Sequence, residues 1–309
     1  MTLQVLISTS SFNLANFAQL ENLKTAGVKV KLNPFEARLT EDQVIELLGT
    51  NTIGLIAGLE PLTKNVLQSA KSLKVIARVG TGLDSVDLAA AKQLGISVLN
   101  TPDAPTRAVA ELTVAHILGL LRHLSKADRQ IRSGVWKGLM GSLLETKTVG
   151  LVGFGRIGKR VATLLSAFGA SVIISDAQVK ASDFQNLELD ELCAKADILS
   201  LHLPYNESTH HIINEKRINL MKKGSYIVNI SRGGLIDETM LLGALKSGHI
   251  AGAALDCFEQ EPYEGELRNL ENVQITAHMG SYARETRDLM EQEASNLLVN
   301  ALREMNLIK

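Results

Sequence analysis

The chain is poor in the residues that would tie it to a membrane, a nucleic acid or an oxidising compartment. Its 309 residues include only two cysteines, Cys193 and Cys257, too few for a disulfide framework. Both read as reduced and structural, Cys257 beside a predicted buried strand where a small apolar thiol packs well. No apolar run reaches the roughly 18 residues that a membrane helix needs. The N-terminus enters an apolar strand at once, with no basic lead and cleavage site, so a soluble, cytoplasmic protein is the expectation. An excess of charge of one sign is also missing. Lys plus Arg number 32 against 33 for Asp plus Glu, a balance with no net field to draw nucleic acid or an anionic surface. There is no convincing internal repeat and no low-complexity tract, so solenoid and disordered-tail architectures gain no support.

What the chain does have is alternation. Val5 to Ile7, Val28 to Leu32, Gly54 to Ala57, Val75 to Val79 and Ile96 to Leu99 read as strands, with helical patterns between them. Thr40 stands where an N-cap belongs, and Gly27 and Gly95 stand where helices stop. Pro102 and Pro105 then interrupt the pattern before a long apolar helix from Ala108 to about Leu124, for which Thr106 is the candidate cap. A second series follows: Val149 to Val152, Val172 to Ser175, Ile198 to Leu203, Tyr226 to Ile230, Ala251 to Leu255 and Val273 to Thr276. The expectation is α/β, with two doubly wound parallel-sheet domains. The last helix, from about Ala283 to Leu302, has no strand to follow it and is expected to cross back onto the first domain. Residues 1–100 and 284–309 then form one domain and residues 101–283 the other.

Within the second series, Gly153-Phe154-Gly155-Arg156-Ile157-Gly158 lies between a strand and a helix that Gly169 closes. A glycine triplet alone is weak, but this context suits a dinucleotide pyrophosphate. Gly153 allows the tight turn, Gly155 lets a phosphate approach the backbone, and Gly158 lets helix and strand pack. The N–H groups of Arg156 and Ile157 then face the anion at a helix N-terminus. Asp176 ends the next strand, where a carboxylate accepts hydrogen bonds from a ribose and repels a 2′-phosphate, so NAD is expected rather than NADP. The competing reading makes Asp176 a turn cap only.

Three polar residues follow later strands. Arg232 precedes Gly233-Gly234, an arrangement that lets the backbone approach a ligand while a guanidinium fork clamps a carboxylate and its neighbouring carbonyl. Glu261 sits in an acidic loop after Asp256, and His278 ends the strand Val273 to Thr276. If Glu261 reaches His278, it orients the ring and favours the imidazolium, and the pair can donate a proton. The other histidines have weaker claims: His116 and His123 lie on a helix, His210 and His211 in a loop, and His202 has no acid in a comparable motif. No metal is expected, because no two His or Cys residues sit at a ligand spacing backed by acids.

Asn229-Ile230-Ser231-Arg232-Gly233-Gly234, Asp256-Cys257-Phe258-Glu259-Gln260-Glu261-Pro262, His278-Met279-Gly280-Ser281, Arg78-Val79-Gly80-Thr81-Gly82-Leu83-Asp84 and Asn100-Thr101-Pro102 occur in a familiar order. The chain resembles the D-isomer-specific 2-hydroxyacid dehydrogenases over essentially its whole length, most of all their phosphoglycerate dehydrogenase branch. The resemblance implies a Rossmann cofactor domain inserted in a flavodoxin-like substrate domain. It also implies hydride exchange between NAD and a small 2-hydroxy or 2-keto acid, with Arg232, Glu261 and His278 catalytic. Asp256 would bind the nicotinamide carboxamide, with Arg232 and His278 also near the cofactor. Thr81, Leu203, Pro204 and Ile230 would line its cleft. Amides near Val79 and Gly80 would cradle the substrate carboxylate. Arg78 matches one arginine used for a substrate phosphate, while Gly58 stands where another would be. Phosphoglycerate therefore leads, with glyoxylate and hydroxypyruvate as alternatives and a non-enzymatic, dinucleotide-sensing corepressor as the rival class. With Lys309 last, the regulatory domain of many phosphoglycerate dehydrogenases is not expected. A homodimer through the cofactor domain, using the helix from Ala108, is.

Overall fold

In the computed structural model, which describes residues 2–10, 12, 18–179 and 183–308, the chain groups into two compact units. One comprises Met1–Pro105 with Ala283–Lys309, the other Thr106–Tyr282. The expected junctions at 100/101 and 283/284 differ from these by a few residues. The Pro102–Pro105 stretch stays with the first unit because Thr101 is fully buried and Ala104 belongs to that unit's core.

The first unit alternates β1 (Gln4–Ile7), α1 (Ala18–Thr25), β2 (Lys29–Leu32), α2 (Glu41–Leu48), β3 (Thr52–Ala57), α3 (Lys64–Ser69), β4 (Val75–Arg78), α4 (Leu88–Gln93) and β5 (Ser97–Asn100). Its strands are all parallel, in the order β2-β1-β3-β4-β5, the flavodoxin-like arrangement. Every residue of β1, β3 and β4 is buried, which is why these strands read as unbroken apolar runs rather than as alternations. Thr40 closes a capping box on α2: its side chain accepts from Gln43 N, and the Gln43 side chain accepts from Thr40 N at 2.9 Å. That reciprocal pair satisfies two N–H groups a helix start leaves open.

The second unit opens with α5 (Thr106–Leu121) and α6 (Leu124–Arg132), then runs β6 (Thr148–Val152), α7 (Arg156–Ala167), β7 (Ser171–Ser175), β8 (Gln185–Asn186), α8 (Leu189–Lys195), β9 (Ile198–Leu201), α9 (Glu215–Leu220), β10 (Ser225–Asn229), α10 (Glu238–Lys246), β11 (Ile250–Leu255) and β12 (Val273–Ile275). The parallel sheet has the order β12-β11-β10-β9-β6-β7-β8, the doubly wound dinucleotide-binding order extended by one strand. Six strands were expected here, and the described residues form seven. The extra one, β8, is two exposed polar residues at the sheet edge and carries no apolar signal.

The long helix expected from Ala108 to about Leu124 is α5, which ends at Leu121, and α6 starts afresh at Leu124. Ser142 N–H takes the Leu121 carbonyl at 3.0 Å, Gly141 packs so close that a Cβ there would lie 2.4 Å from the same oxygen, and His123 turns left-handed at φ 56°. A segment arriving about twenty residues later thus ends α5. Ten of the sixteen α5 residues are buried against α7, β10 and β11, so this helix is core and offers little face to a partner. A strip of exposed apolar residues lies just after it, Leu124, Ile131, Val135, Trp136, Met140 and Leu143, with Trp136 and Met140 each 92% exposed. The last helix, α11 (Arg284–Glu304), belongs to the first unit and covers β3, β4 and β5. Gly54 permits this, since a Cβ there would lie 3.0 Å from Leu298.

Candidate active site

The glycine turn joins β6 to α7 beside β9, where the winding of the second sheet reverses. Two of its glycines are fixed by packing. A Cβ on Gly153, whose φ is 95°, would lie 2.5 Å from the His202 carbonyl, and one on Gly158 would lie 2.3 Å from the Gly153 carbonyl. Gly155 is different, because a Cβ there would meet nothing within 4 Å. The surface over Gly155 at the start of α7 is therefore open, as a pyrophosphate approaching the exposed Arg156 and the half-buried Ile157 requires. Asp176 is held at this turn: one oxygen accepts Phe154 N–H at 2.7 Å and the other accepts Gln178 N–H at 2.8 Å. It does the work of a turn cap and places a carboxylate against the dinucleotide turn, so the two sequence readings of Asp176 are compatible. Leu203, half-buried, packs over Gly153, and Pro204 beside it is exposed.

The strands β10, β11 and β12 are neighbours, and Arg232, Asp256 and His278 leave them at the same carboxyl edge. The expected pair forms: His278 Nδ1 lies 2.9 and 3.0 Å from the two Glu261 oxygens, with both side chains about four-fifths buried. His278 adopts a left-handed backbone, φ 50°, and its N–H donates to the Asp256 carbonyl at 2.8 Å. That conformation is uncommon outside glycine and is tolerated by histidine more than by most residues. A carboxylate on Nδ1 leaves Nε2, across the ring, as the atom able to exchange a proton with a ligand.

Asp256 is fully buried and accepts three hydrogen bonds, which leaves one of its carboxylate acceptor sites over. Thr276 Oγ1 and Met279 N donate to one oxygen at 2.5 and 2.9 Å, and Gly280 N donates to the other at 2.8 Å. Thr276 in turn meets His116 Nε2 at 3.3 Å, and His116 Nδ1 meets Gln274 at 3.2 Å. Burial lowers the His116 pKa, with Gln274 and Asp256 opposing. Sequence reasoning misses this support behind Asp256, because His116 sits some 160 residues before Thr276 and reads as an ordinary helix residue. No short-range signal would have found it.

Arg232 is half-buried, with Nη1 donating to the Ser231 carbonyl at 2.7 Å. Its paired glycines have a different cause from the one expected. A Cβ on Gly233 would lie 1.8 Å from the Phe258 carbonyl carbon, and one on Gly234 would lie 2.5 Å from the Tyr205 ring. They serve close packing of the protein on itself, not approach of a ligand to the backbone. Ile230, before them, is buried under Gly280.

Cys257, Glu261 and His278 bring three potential metal ligands within 4.8 Å of one another, a meeting that sequence spacing did not reveal. Each is engaged by protein. The Cys257 thiol donates to the Ser231 carbonyl at 3.2 Å, and His278 Nδ1 faces Glu261. Burial pushes the Cys193 thiol up to about 11, which keeps it protonated and inert.

In the first unit, Arg78 ends β4 and is buried. The amides of Val79 and Gly80, expected to cradle a carboxylate, are already committed: Val79 N donates to the Ala57 carbonyl at 2.8 Å and Gly80 N to Thr101 Oγ1 at 2.8 Å. A backbone N–H has one hydrogen to give, so that role does not fall to these two groups. Thr81 is exposed, with its hydroxyl on the Pro102 carbonyl at 3.2 Å.

A dinucleotide turn and an acid-base pair on one parallel sheet define a nicotinamide-dependent oxidoreductase. Comparison narrows the class. Residues 114–280 match the model of the D-isomer specific 2-hydroxyacid dehydrogenase NAD-binding domain. The chain is 39% identical over 267 residues to a hydroxypyruvate reductase of Thermotoga maritima, covering 84% of this chain and 87% of that protein. It is 39% identical over 258 residues to a D-3-phosphoglycerate dehydrogenase of Methanocaldococcus jannaschii, covering 81% of this chain but 49% of that one. Among solved structures, the TT0316 protein of Thermus thermophilus superposes with a TM-score of 0.89 at 36% identity, over 98% of this chain and 97% of that one. The chain belongs to the D-isomer-specific 2-hydroxyacid dehydrogenases, NAD-dependent oxidoreductases that act on the CH–OH group of 2-hydroxy acids.

Proposed function

We propose that this chain interconverts a small D-2-hydroxy acid and its 2-keto acid, with Arg232, Glu261 and His278 as the reacting set. Bound NADH supplies the hydride for reduction. The Arg232 guanidinium holds the substrate carboxylate and the carbonyl oxygen on which charge develops. His278 gives a proton from Nε2 to that oxygen, and Glu261 holds the ring from the Nδ1 side; oxidation reverses the transfer. Asp256, fixed by three donors, presents a rigid carboxylate edge to the nicotinamide carboxamide. Asp176 and the open turn at Gly155 receive the ribose and pyrophosphate. The observation that carries this reading is the 2.9 Å His278–Glu261 contact on the sheet that bears the dinucleotide turn.

The test is a screen of NADH oxidation against glyoxylate, hydroxypyruvate, phosphohydroxypyruvate and pyruvate. Turnover of at least one, lost in His278→Ala, supports the assignment, and no turnover of any removes it. A non-enzymatic sensor would bind NADH in the same assay without consuming it. We also infer a homodimer, carried by α6 and the exposed strip through Trp136 and Met140 rather than by α5. A monomeric mass in solution would exclude it.

A further inference from the structure

The two loops that carry Arg232 and Glu261 meet at a residue the proposed reaction does not use. Arg232 enters the turn Gly233–Leu235 after β10, and Glu261 lies in the loop after β11. They leave different strands, so the sheet alone does not fix one loop on the other. Segment 205–213, between β9 and α9, covers the Arg232 turn: His211 N–H donates to the Gly234 carbonyl at 2.8 Å, and Ile213 N–H donates to the Leu235 carbonyl at 3.0 Å. The His211 side chain reaches the other loop, where Nε2 lies 2.9 Å from Glu259 Oε1, two residues before Glu261. A carboxylate can only accept, so this ring nitrogen carries the hydrogen.

Both ends of the link are anchored. At the start of α10 the Glu238 carboxylate accepts Glu259 N–H at 2.7 Å, and Glu238 N–H reaches the Glu259 oxygen that faces His211, at 3.3 Å. Within the loop, Phe258 N–H donates at 3.2 Å to Glu261 Oε1, an oxygen 3.0 Å from His278 Nδ1. The His210 ring stacks on His211 with centroids 3.8 Å apart, and Asp237 Oδ2 lies 3.8 Å from His211 Nδ1. His211 has a left-handed backbone, φ 47°, a conformation that persists in a residue other than glycine where its surroundings over-determine it. Charge gives the link its purpose. Burial pushes the Glu238 carboxyl up, and the Glu259 and Glu261 charges add to this, while Glu259 N–H and the His211 charge pull it back. Three carboxylates thus crowd the corner where the Glu261 loop meets α10, and a donor on the Arg232 side offsets their repulsion.

We propose that His211 is a positioning residue, which locks the loop bearing Glu261 to the turn bearing Arg232 so that the proton donor and the carboxylate clamp keep one spacing. This rests on the dehydrogenase reading above.

The experiment uses whichever of glyoxylate, hydroxypyruvate, phosphohydroxypyruvate and pyruvate the parent turns over fastest. It compares the parent with His211→Leu, His211→Gln and Glu259→Ala, with a thermal melt of each. Leu and Gln meet the same left-handed backbone, so they share its strain, and only Gln returns a donor to Glu259. H211L is expected to lower kcat/KM for the keto acid by about tenfold and to leave KM for NADH within about twofold of the parent, since the dinucleotide turn stands apart. H211Q should recover most of that loss. E259A should match H211L, and the double variant should lose no more than either alone. An H211L protein with a lowered melting temperature but the parent kcat/KM overturns the positioning role and leaves the dehydrogenase reading standing. So does an H211Q protein no better than H211L. E259A, which alters an exposed side chain, decides the matter should H211L not fold: parental kcat/KM there overturns the link. Absence of parent turnover with all four keto acids overturns both readings.

Discussion

The two sheets end in carboxyl edges built from similar parts and put to different use. In the first unit the donors are consumed by the protein: Val79 N by Ala57, Gly80 N by Thr101, Gly58 N and the Ser8 hydroxyl by Glu60. In the second, Asp256 is held by three such donors, but Glu261, which also accepts Phe258 N–H at 3.2 Å, is bonded to a titratable ring and Gly155 faces open space. A carboxylate tied to fixed backbone donors is a static shape and charge. One tied to an imidazole can follow a proton. Residue type therefore does not separate structure from chemistry here; the partner of each carboxylate does.

The largest effect should come from the chemical edge. Arg232→Ala removes the cation that meets the developing oxyanion, and kcat/KM is expected to fall by about 10²- to 10³-fold, or about 3 to 4 kcal/mol, with the fold unchanged. Steady-state rates alongside a thermal melt check this, and turnover within about tenfold of the parent breaks the division between the edges. Next in size is an acid sensitivity at the wall of the dinucleotide turn. His202 keeps an accessible side, yet its Nδ1 is buried with no hydrogen-bond partner among the described residues, and burial lowers its pKa from 6.5 to about 4. The unfolded chain therefore binds a proton between those values that the folded chain refuses. His202 costs no stability above pH 6.5 and up to about 3 kcal/mol as pH falls toward 4. Urea titrations from about pH 7 to 4 should show a steeper loss for the parent than for His202→Gln, and parallel curves would refute it.

How far these edges could be read in advance depended on the range of the interactions that make them. Doubly covered strands are apolar runs, so β1, β3 and β4 were plain, whereas β8 is two exposed residues. The Glu261–His278 pair was legible because each lies just beyond its own strand, at positions that the family order marks. The support of Asp256 was not, since His116 and Thr276 meet only through the packing of α5 on the sheet. Nor was the end of α5, which the later Gly141–Ser142 segment imposes. Gly233 and Gly234 were legible as required glycines but not as to the cause, because Phe258 and Tyr205 approach from distant sequence. Glu60, two residues beyond Gly58, looks in sequence like any solvated loop acid; only burial distinguishes it.

The smallest effect gives the sharpest test of whether Asp256 resembles Glu60 in being held for its shape and charge. An ionised Asp256 can only accept, so Thr276 must spend its single hydrogen on it, across 2.5 Å. The Thr276 oxygen is then left as an acceptor 3.3 Å from His116 Nε2, whose other ring nitrogen lies 3.2 Å from Gln274 Oε1. Thr276→Val keeps the volume and removes both bonds, while Met279 and Gly280 still hold the carboxylate. With two of three donors retained, the loss should be about 1 kcal/mol, read as a roughly fivefold rise in KM for NADH with kcat nearly unchanged. His116→Gln, whose amide can still donate to Thr276, should recover part of the behaviour lost in His116→Ala. If Asp256 merely filled the core, T276V would lower the melting temperature and leave KM where it was. The contrast between KM and melting temperature therefore separates a carboxylate poised for a ligand from one buried for packing.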